Sequence, residues 1–424
     1  MVPLLMQHIF TQLYGTANTI LLSGFLDTAV SASSVANQIF DISIVILTMV
    51  GTGTVILTSI ELGAGNREKA AEYAGTGAFT VLATSVLLSA VNIFAAESLL
   101  GMVNLRGETL DLACDYLRVR ALFLPAIGLL SFFNSLLICN GYSKFTLIVG
   151  VSSNLINFLL SYVALYSGIS FSTPIERVAI AAGAAQLIGL LLSFAFFKLK
   201  SCPFSLTYRL RNMVKIIKLG VPGAMVSLMF RIAQTVTTGF VALMGDSVIN
   251  TKVYINNIVA YIPLVGYSIG SANMVFMGRY KGAGEFDKAD RLFRQNRAIA
   301  FCCNLALSLT VLALHRPLMS MFTSDSAIID AAGMIFLIDL LVQLPRAINN
   351  ISEGALSANG DVKITFITST LSCWLGSVAL SYVLCVLLGW GLIGLWLAFA
   401  ADETMKSIIY IFRWRSGKWR NIDI

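Results

Sequence analysis

Long apolar runs separated by short polar breaks dominate this chain from end to end. Residues 79–96, 178–197 and 298–314 are runs of this kind. Each, wound as a helix, is long enough to cross a hydrocarbon core of ~30 Å. Residues 378–401 form another, interrupted at Gly389–Gly391, and read as parts of two helices. Inside a bilayer a spanning segment must satisfy its own backbone hydrogen bonds, so these runs are expected to be α-helices. The pattern predicts twelve spans, approximately 3–25, 34–59, 73–96, 114–140, 145–167, 178–197, 219–244, 251–278, 293–314, 327–358, 364–388 and 392–412. The first starts without a basic leader or a small-residue cleavage site and is expected to be a retained helix.

The pattern also occurs twice. Gly63-Ala64-Gly65-Asn66-Arg67-Glu68-Lys69-Ala70 returns as Gly282-Ala283-Gly284-Glu285-Phe286-Asp287-Lys288-Ala289, a shift of 219 residues. Without gaps, the same shift maps Pro3 to Pro222, Asp27 to Asp246, Asn37 to Asn256, Gly51 to Gly270 and Asn140-Gly141 to Asn359-Gly360. It still holds at Lys363 and Thr365, the partners of Lys144 and Thr146. Six spans per copy is an even number, so both copies enter the membrane from the same side. The expectation is an all-α membrane protein whose twelve transmembrane helices form two parallel six-helix lobes around a central cleft. The lobes would be residues 1–200 and 219–424. Residues 201–218, basic with apolar residues at helical spacing, would be a cytoplasmic amphipathic linker.

Composition agrees with a membrane location. Of 424 residues, 57% are hydrophobic and only 12% charged, about half the charged share of a soluble chain, roughly 25%. Charge placement sets orientation. Arg231 and Arg346 lie well inside predicted spans, while Arg106, Arg118, Arg120, Arg177, Lys252 and Arg316 fall in the loops or helix ends of one side. The other 21 of the 29 Lys and Arg fall on the opposite side, mostly within 198–218, 279–297 and 413–420. Cytoplasmic loops carry the basic excess, so both termini are expected in the cytoplasm of a bacterial-type inner membrane. The net charge of +7 is explained this way, and no nucleic-acid partner is expected. Seven cysteines without CxxC spacing read as small apolar packing residues, not as a disulfide framework or metal site.

Several stretches resemble the multidrug and toxic compound extrusion (MATE) transporters. They are Leu13-Tyr14-Gly15-Thr16-Ala17-Asn18-Thr19-Ile20, the Gly51 to Ala70 stretch with its Gly-Ala-Gly, and Asn154-Leu155-Ile156-Asn157. Gly354-Ala355-Leu356-Ser357-Ala358-Asn359-Gly360-Asp361 and Gly391-Leu392-Ile393-Gly394-Leu395-Trp396 add to them. The resemblance covers the whole chain and implies alternating access, with export of an amphipathic compound coupled to entry of Na⁺ or H⁺. The acidic positions of the family are changed here. Asn18 stands where many members carry Asp, and Asn157 and Ser161 stand for an Asn–Asp pair. Phe230 and Arg346 occupy positions that are acidic in one branch. Asn does not titrate, though its amide can coordinate an ion or bind substrate.

Charges at membrane depth cost roughly 2.5–3.5 kcal/mol each on insertion scales, so each is a candidate site. Asp41 is one, with Asn37 a turn earlier and Asn18 as a neutral ligand if the first two spans pack together. Its alternatives are hydration near the outer surface or a structural pairing. Asp339, Arg346 and Glu353 are spaced by seven on one stripe, with Pro345 beside Arg346. They form either an ion-pair network or a cleft-lining site. Arg231, with Gln234, Thr235 and Thr238, is the third, with Asn256 and Asn257 of the next span as candidate facing groups. Neutralisation of the two arginines by Asp339 and Glu353 competes with an anionic substrate. Asp402, Glu403 and Lys406 are expected to be structural or snorkelling near the cytoplasmic end, with Glu403 and Lys406 paired.

The expected function is that of a secondary-active antiporter exporting small amphipathic molecules or drugs, coupled to H⁺ or Na⁺. The alternative is a flippase or exporter of a lipid-linked or anionic substrate. The Gly-Ala-Gly segments lack a phosphate-loop Lys-Ser/Thr, so ATP binding is unsupported. No nucleophile–base pair, HExxH or GxSxG appears, so an enzyme, a resident metal or another cofactor is not expected. The expected partners are a small-molecule substrate and the lipid bilayer, with the protein a monomer.

Overall fold

A computed structural model describes residues 2–23, 27–101, 107–166, 173–323 and 325–422, and among them it contains helices and turns but no strand. The first copy comprises α1 (Val2–Ser23), α2 (Asp27–Gly63), α3 (Arg67–Phe94), α4 (Ala96–Gly101), α5 (Glu108–Leu122), α6 (Leu124–Cys139), α7 (Ser143–Tyr166) and α8 (Pro174–Leu199). The second comprises α9 (Leu210–Ala242), α10 (Asp246–Val259), α11 (Leu264–Gly282), α12 (Phe286–Ala313), α13 (His315–Met319), α14 (Ser326–Ala358), α15 (Val362–Ser372) and α16 (Gly391–Arg415). After α15 the same span winds on as π-helix over Cys373–Ala379 and Tyr382–Leu387.

Among the described residues, eight helices are single apolar spans and two more spans are bent pairs. With α1 and α16 these make the twelve expected. Each bend is 52°, one between α5 and α6, the other between α10 and α11. Pro125 follows the first break and Pro263 closes the second, where missing N–H groups loosen the helical ladder. The bends do not correspond under the repeat. α2 is unbroken where its partner α10–α11 bends, and α14 is unbroken where its partner α5–α6 bends.

The chain divides into two compact units, residues 1–62 with 66–224 and residues 63–65 with 225–424. In the first unit α1 packs on α7, α7 on α8, α8 on α6 and α6 on α3. In the second, α14 is the central helix, packed by α11, α12 and α16. Its core surrounds Trp396, Phe336, Leu395 and Ile335, all buried. A stack of Phe293, Trp414 and Trp419, with successive ring centroids 4.1 Å apart, closes the end of the unit where α12 begins and α16 finishes.

The segment after α8 lies along α3. Ser205 N donates to Ala71 O at 3.2 Å, Thr76 Oγ1 donates to Thr207 O at 3.4 Å, and Arg209 pairs with Glu72 at 2.7 Å. From Leu210 onward the basic linker and the seventh span are one continuous helix, not a linker ending at 218. Pro222 removes one hydrogen bond without breaking it. Close packing against α2 explains the continuity. A Cβ at Gly53 would lie 2.1 Å from Ile216 O, and one at Gly220 would lie 2.0 Å from Met49 O. The two glycines thus let the backbones of α2 and α9 touch reciprocally, as small residues do between membrane helices.

Elsewhere, local chemistry sets the helix ends. Gly65 and Gly284, equivalent in the repeat, adopt φ of +77° and +72° and turn the chain out of α2 and α11. α8 begins with a full capping box. Thr173 Oγ1 accepts from Glu176 N at 3.4 Å, Glu176 Oε2 accepts from Thr173 N at 2.8 Å, and Pro174 follows at the first helical position. Thr173→Ala is therefore expected to lower stability by about 1 kcal/mol. Thermal unfolding in detergent checks this, and an unchanged midpoint would show that the box contributes nothing.

Candidate functional site in the second unit

Ionisable side chains gather between α14 and α16. Arg346 Nε donates to Glu403 Oε1 at 2.9 Å. Lys406 Nζ donates to Asp402 Oδ2 at 2.9 Å and lies 3.9 Å from Glu403 Oε1. Asn349 Nδ2 donates to Glu403 Oε2 and to Glu403 O, each at 2.8 Å. Ser407 Oγ holds Asn349 Oδ1 at 2.9 Å and also reaches Pro345 O at 3.0 Å. Helical spacing produces this meeting. Residues 402, 403, 406 and 407 share one face of α16, and residues 346 and 349 share one face of α14.

Burial corrects the snorkelling expectation. Asp402, Glu403 and Lys406 are 3%, 5% and 7% exposed and sit at the middle of α16. The pairing is also redistributed. Glu403 bonds mainly to Arg346, while Lys406 is closer to Asp402. Arg346 is therefore not neutralised by Asp339 or Glu353 through direct contact. Instead Asp339, buried on the same stripe, accepts from Gln343 Nε2 at 3.1 and 3.3 Å and from Trp396 Nε1 at 3.1 Å. Glu353 is half-buried and accepts no hydrogen bond among the described residues.

The other candidates occupy separate places. Arg231 is exposed on α9, so it is not the buried arginine expected. Thr235, Thr238, Asn256 and Asn257 are exposed as well. In the first unit Asn37 accepts from Arg120 Nη1 at 2.5 Å and from Tyr116 Oη at 3.4 Å. The Arg120 guanidinium lies 4.3 Å from the centre of the Phe40 ring. Arg120, at a helix end in the sequence reading, therefore turns inward. Asp41, one turn beyond Asn37, is half-buried. Asn157 is buried and accepts from Ser161 Oγ at 3.2 Å. The side chain of Asn18 lies outside the described residues.

Three participants escaped sequence reasoning. Lys252, read from the sequence only as a basic residue at a helix end, is buried in α10 with Nζ 2.6 Å from Thr238 Oγ1. Asn304 and Ser308 lie on the buried stripe of α12 with Ala289, Phe293, Asn296 and Ala300. That stripe has helical spacing and was available as a signal. A groove of about 550 Å³ also crosses α14 and α16, but Leu341, Leu344, Ala400, Met405 and Ile408 make it apolar. It contributes nothing to the charged site.

Comparison with known proteins gives the repeat a family. MatE matches residues 3–163 and again residues 222–383, two stretches that begin 219 residues apart. The chain belongs to the MatE family. The uncharacterized transporter YisQ of Bacillus subtilis (strain 168) is 30% identical, over 98% of this chain and 93% of its own. The probable multidrug resistance protein NorM of Thermotoga maritima is 24% identical, over 98% and 91%. A solved MOP superfamily transporter from Pyrococcus furiosus shares the fold, with TM-score 0.88 at 17% identity, over 99% of this chain and 95% of that one. It is described as having a binding pocket of reverse polarity that suggests a different function. In this MatE chain the ionisable network is built from α14 and α16, with Asp339 joining them through Trp396.

Proposed function

We propose that this MatE protein is a secondary-active antiporter that exports amphipathic small molecules and couples their export to entry of H⁺ or Na⁺ by alternating access. The network of α14 and α16 carries this reading. Six ionisable groups stand inside two membrane helices, where each charge costs roughly 2.5–3.5 kcal/mol on insertion scales. The groups are four acids and two bases, Asp339, Glu353, Asp402 and Glu403 against Arg346 and Lys406. A surplus of carboxylates suits the exchange of a cation. The exposed polar residues Arg231, Thr235, Thr238 and Asn256 support a water-accessible path, because such side chains avoid lipid. Both termini in the cytoplasm and a monomeric state go with this reading.

The decisive measurement is transport in proteoliposomes with H⁺ and Na⁺ gradients imposed separately. Uptake or release of a fluorescent amphipathic cation should follow one gradient and stop when it is collapsed. Asp41→Asn, measured alongside, tells whether the first unit takes part. Transport indifferent to both gradients would sink the antiport reading.

A second reading has its own observation. Arg231 is exposed in the interior of a membrane helix, and Lys252 is buried without an ion-pair partner among the described residues. Both favour a lipid-linked or anionic substrate, and the Pyrococcus relative is described in terms of reversed pocket polarity. Under this reading Arg231→Gln weakens binding of an anionic amphiphile at least tenfold. Under the first reading it does not.

A further inference from the structure

We propose that the first unit holds a binding site for an anionic oxo group, the carboxylate or phosphate of an amphiphile, centred on Arg120 where α5 meets α2. Arg120 stands inside a broken span, just before the bend between α5 and α6. A guanidinium keeps its proton in a protein, so its charge persists wherever the side chain is held. At membrane depth such a charge is retained for a partner of opposite sign or for a ligand.

Other cations inside spans show how a partner within the chain does this. Arg346 meets Glu403 at 2.9 Å, and Lys406 meets Asp402 at 2.9 Å. Arg120 has only neutral contacts among the described residues. Nη1 donates to Asn37 Oδ1 at 2.5 Å and to Tyr116 Oη at 3.3 Å. The guanidinium carbon lies 4.3 Å from the centre of the Phe40 ring and 5.7 Å from that of Tyr116. Asp41, one turn beyond Asn37 on α2, is not in ion-pair contact with it. Lys252 also lacks an ion pair among the described residues, but at 3% exposed it offers no reachable edge.

The ring faces and the carbonyls at the end of α5 offset part of the charge. Neither gives an acceptor to Nε or Nη2. These two nitrogens donate to nothing among the described residues, and Arg120 is only half-buried, so both remain accessible. Asn37 adds a further donor. Its Oδ1 accepts from Arg120 and, at 3.4 Å, from Tyr116 Oη, which leaves the amide NH₂ as the unused group. Asn37 was expected to be a neutral ligand for a cation. Its oxygen already faces one, and what remains around it is donors and a fixed positive charge.

The chemistry selects the ligand. Nε and Nη2 present two parallel N–H groups that match two oxygens of one carboxylate or phosphate. Arg413 shows the same pairing in this chain, with Nε donating to Asp361 Oδ2 at 2.6 Å and Nη2 to Oδ1 at 3.2 Å. A halide would use one direction only, and a cation would meet like charge. Because the site lies within a span, the oxo group must be carried by a molecule with an apolar body.

The second copy supplies an internal comparison. The shift of 219 places Asp339 opposite Arg120, Ile335 opposite Tyr116 and Val259 opposite Phe40. Asp339 is 3% exposed and both its oxygens accept, from Gln343 and Trp396. The equivalent position there is sealed and complete, and the aromatic setting is absent. The open cation is therefore particular to the first copy.

The site deepens the second reading above, an anionic substrate, and rests on it for its purpose alone, since binding is measured without transport. The full chain in nonionic detergent is dialysed to equilibrium at neutral pH against 2-naphthoate, 2-naphthyl phosphate, neutral 2-naphthamide and cationic 2-naphthylmethylammonium. Wild type should bind at least one of the anions about tenfold more tightly than the neutral and cationic compounds. The preferred anion tells carboxylate from phosphate. Arg120→Gln should weaken anion binding about tenfold and leave 2-naphthamide unaffected. Should that variant fail to fold, Asn37→Asp tests the same point with Arg120 intact. It sets a carboxylate against the guanidinium, so it should abolish anion binding while the unfolding midpoint holds or rises. Equal binding of all four compounds by wild type overturns the site. So does anion binding that survives Asn37→Asp or a folded Arg120→Gln. Anion binding lost in these variants, without transport of the anion in proteoliposomes, leaves the site standing and removes the second reading.

Discussion

Replacing Lys406 with Met is expected to lower the unfolding free energy by about 3–5 kcal/mol, because removing one partner of a buried ion pair leaves the other charge uncompensated. The side chains of Lys406 and Asp402 are only 9% and 4% exposed, so little solvent is present to screen the loss. The consequence spreads beyond the pair. Without Lys406, Asp402 and Glu403 stand side by side on α16, and among the described residues Arg346 alone remains in ion-pair contact, with Glu403. Asp402 Oδ1 lacks a hydrogen-bond partner, and the neutral hydroxyl of nearby Ser372 cannot replace the lost charge. The double substitution Asp402→Asn with Lys406→Met removes both charges and should recover more than half of the loss. Unfolding in mixed micelles, followed for both variants, measures the difference. If the single variant is as stable as wild type, the pair is not formed in the folded protein.

Gly53→Val is expected to cost about 3 kcal/mol, the upper end of what overpacking usually costs. The neighbour of the new Cβ is a backbone carbonyl, that of Ile216, and not the flexible end of a side chain. Relief requires that α2 and α9 move apart along the contact. Gly220→Val meets Met49 O in the same way, so the two substitutions disturb one contact and their costs should sum to more than the double variant shows. Gly223→Ala provides the control. It lies three residues further along α9 and its Cβ meets nothing within 4 Å. It should be neutral or should stabilise by up to about 1 kcal/mol through helix propensity. Equal stability for Gly53→Val and Gly223→Ala would show that the helices do not touch.

The spans were legible because lipid imposes one solution on an apolar run, and the repeat checked each span against a second instance. The bends were less legible. Pro125 and Pro263 break their spans, whereas Pro222 and Pro345 sit inside continuous helices. Proline removes the same hydrogen bond in all four, and neighbouring helices decide whether the helix holds. The stripe Asp339, Arg346 and Glu353 was visible from its spacing of seven, but spacing along one helix says nothing about partners on another. Arg346 found Glu403, 57 residues away, and Asp339 found Trp396, also 57 residues away. Asp402 and Glu403 were misplaced because distance from a helix end was taken as depth, while the packing of α14 on α16 buries them. Lys252 and Arg120 were read as helix-end residues of the outer side because basic residues near a span boundary usually face outward, and here side-chain partners draw both inward.

The π-helical winding of residues 373–387 also has a meaning in terms of descent. A π turn closes from residue i to i+5 and so stores one residue more than an α turn. The ungapped correspondence between the copies reaches Thr365, just ahead of the first π turn. The family match covers 161 residues in the first copy and 162 in the second. Its counterpart in the first copy, α7, is α-helical throughout. An inserted codon in a duplicated membrane gene would ordinarily push one end of a helix out of the bilayer or rotate every later side chain. Winding the added length into π segments confines it to this one stretch of helix. Deleting one residue from each π segment, Cys373–Ala379 and Tyr382–Leu387, would then return that helix to the geometry of its sister.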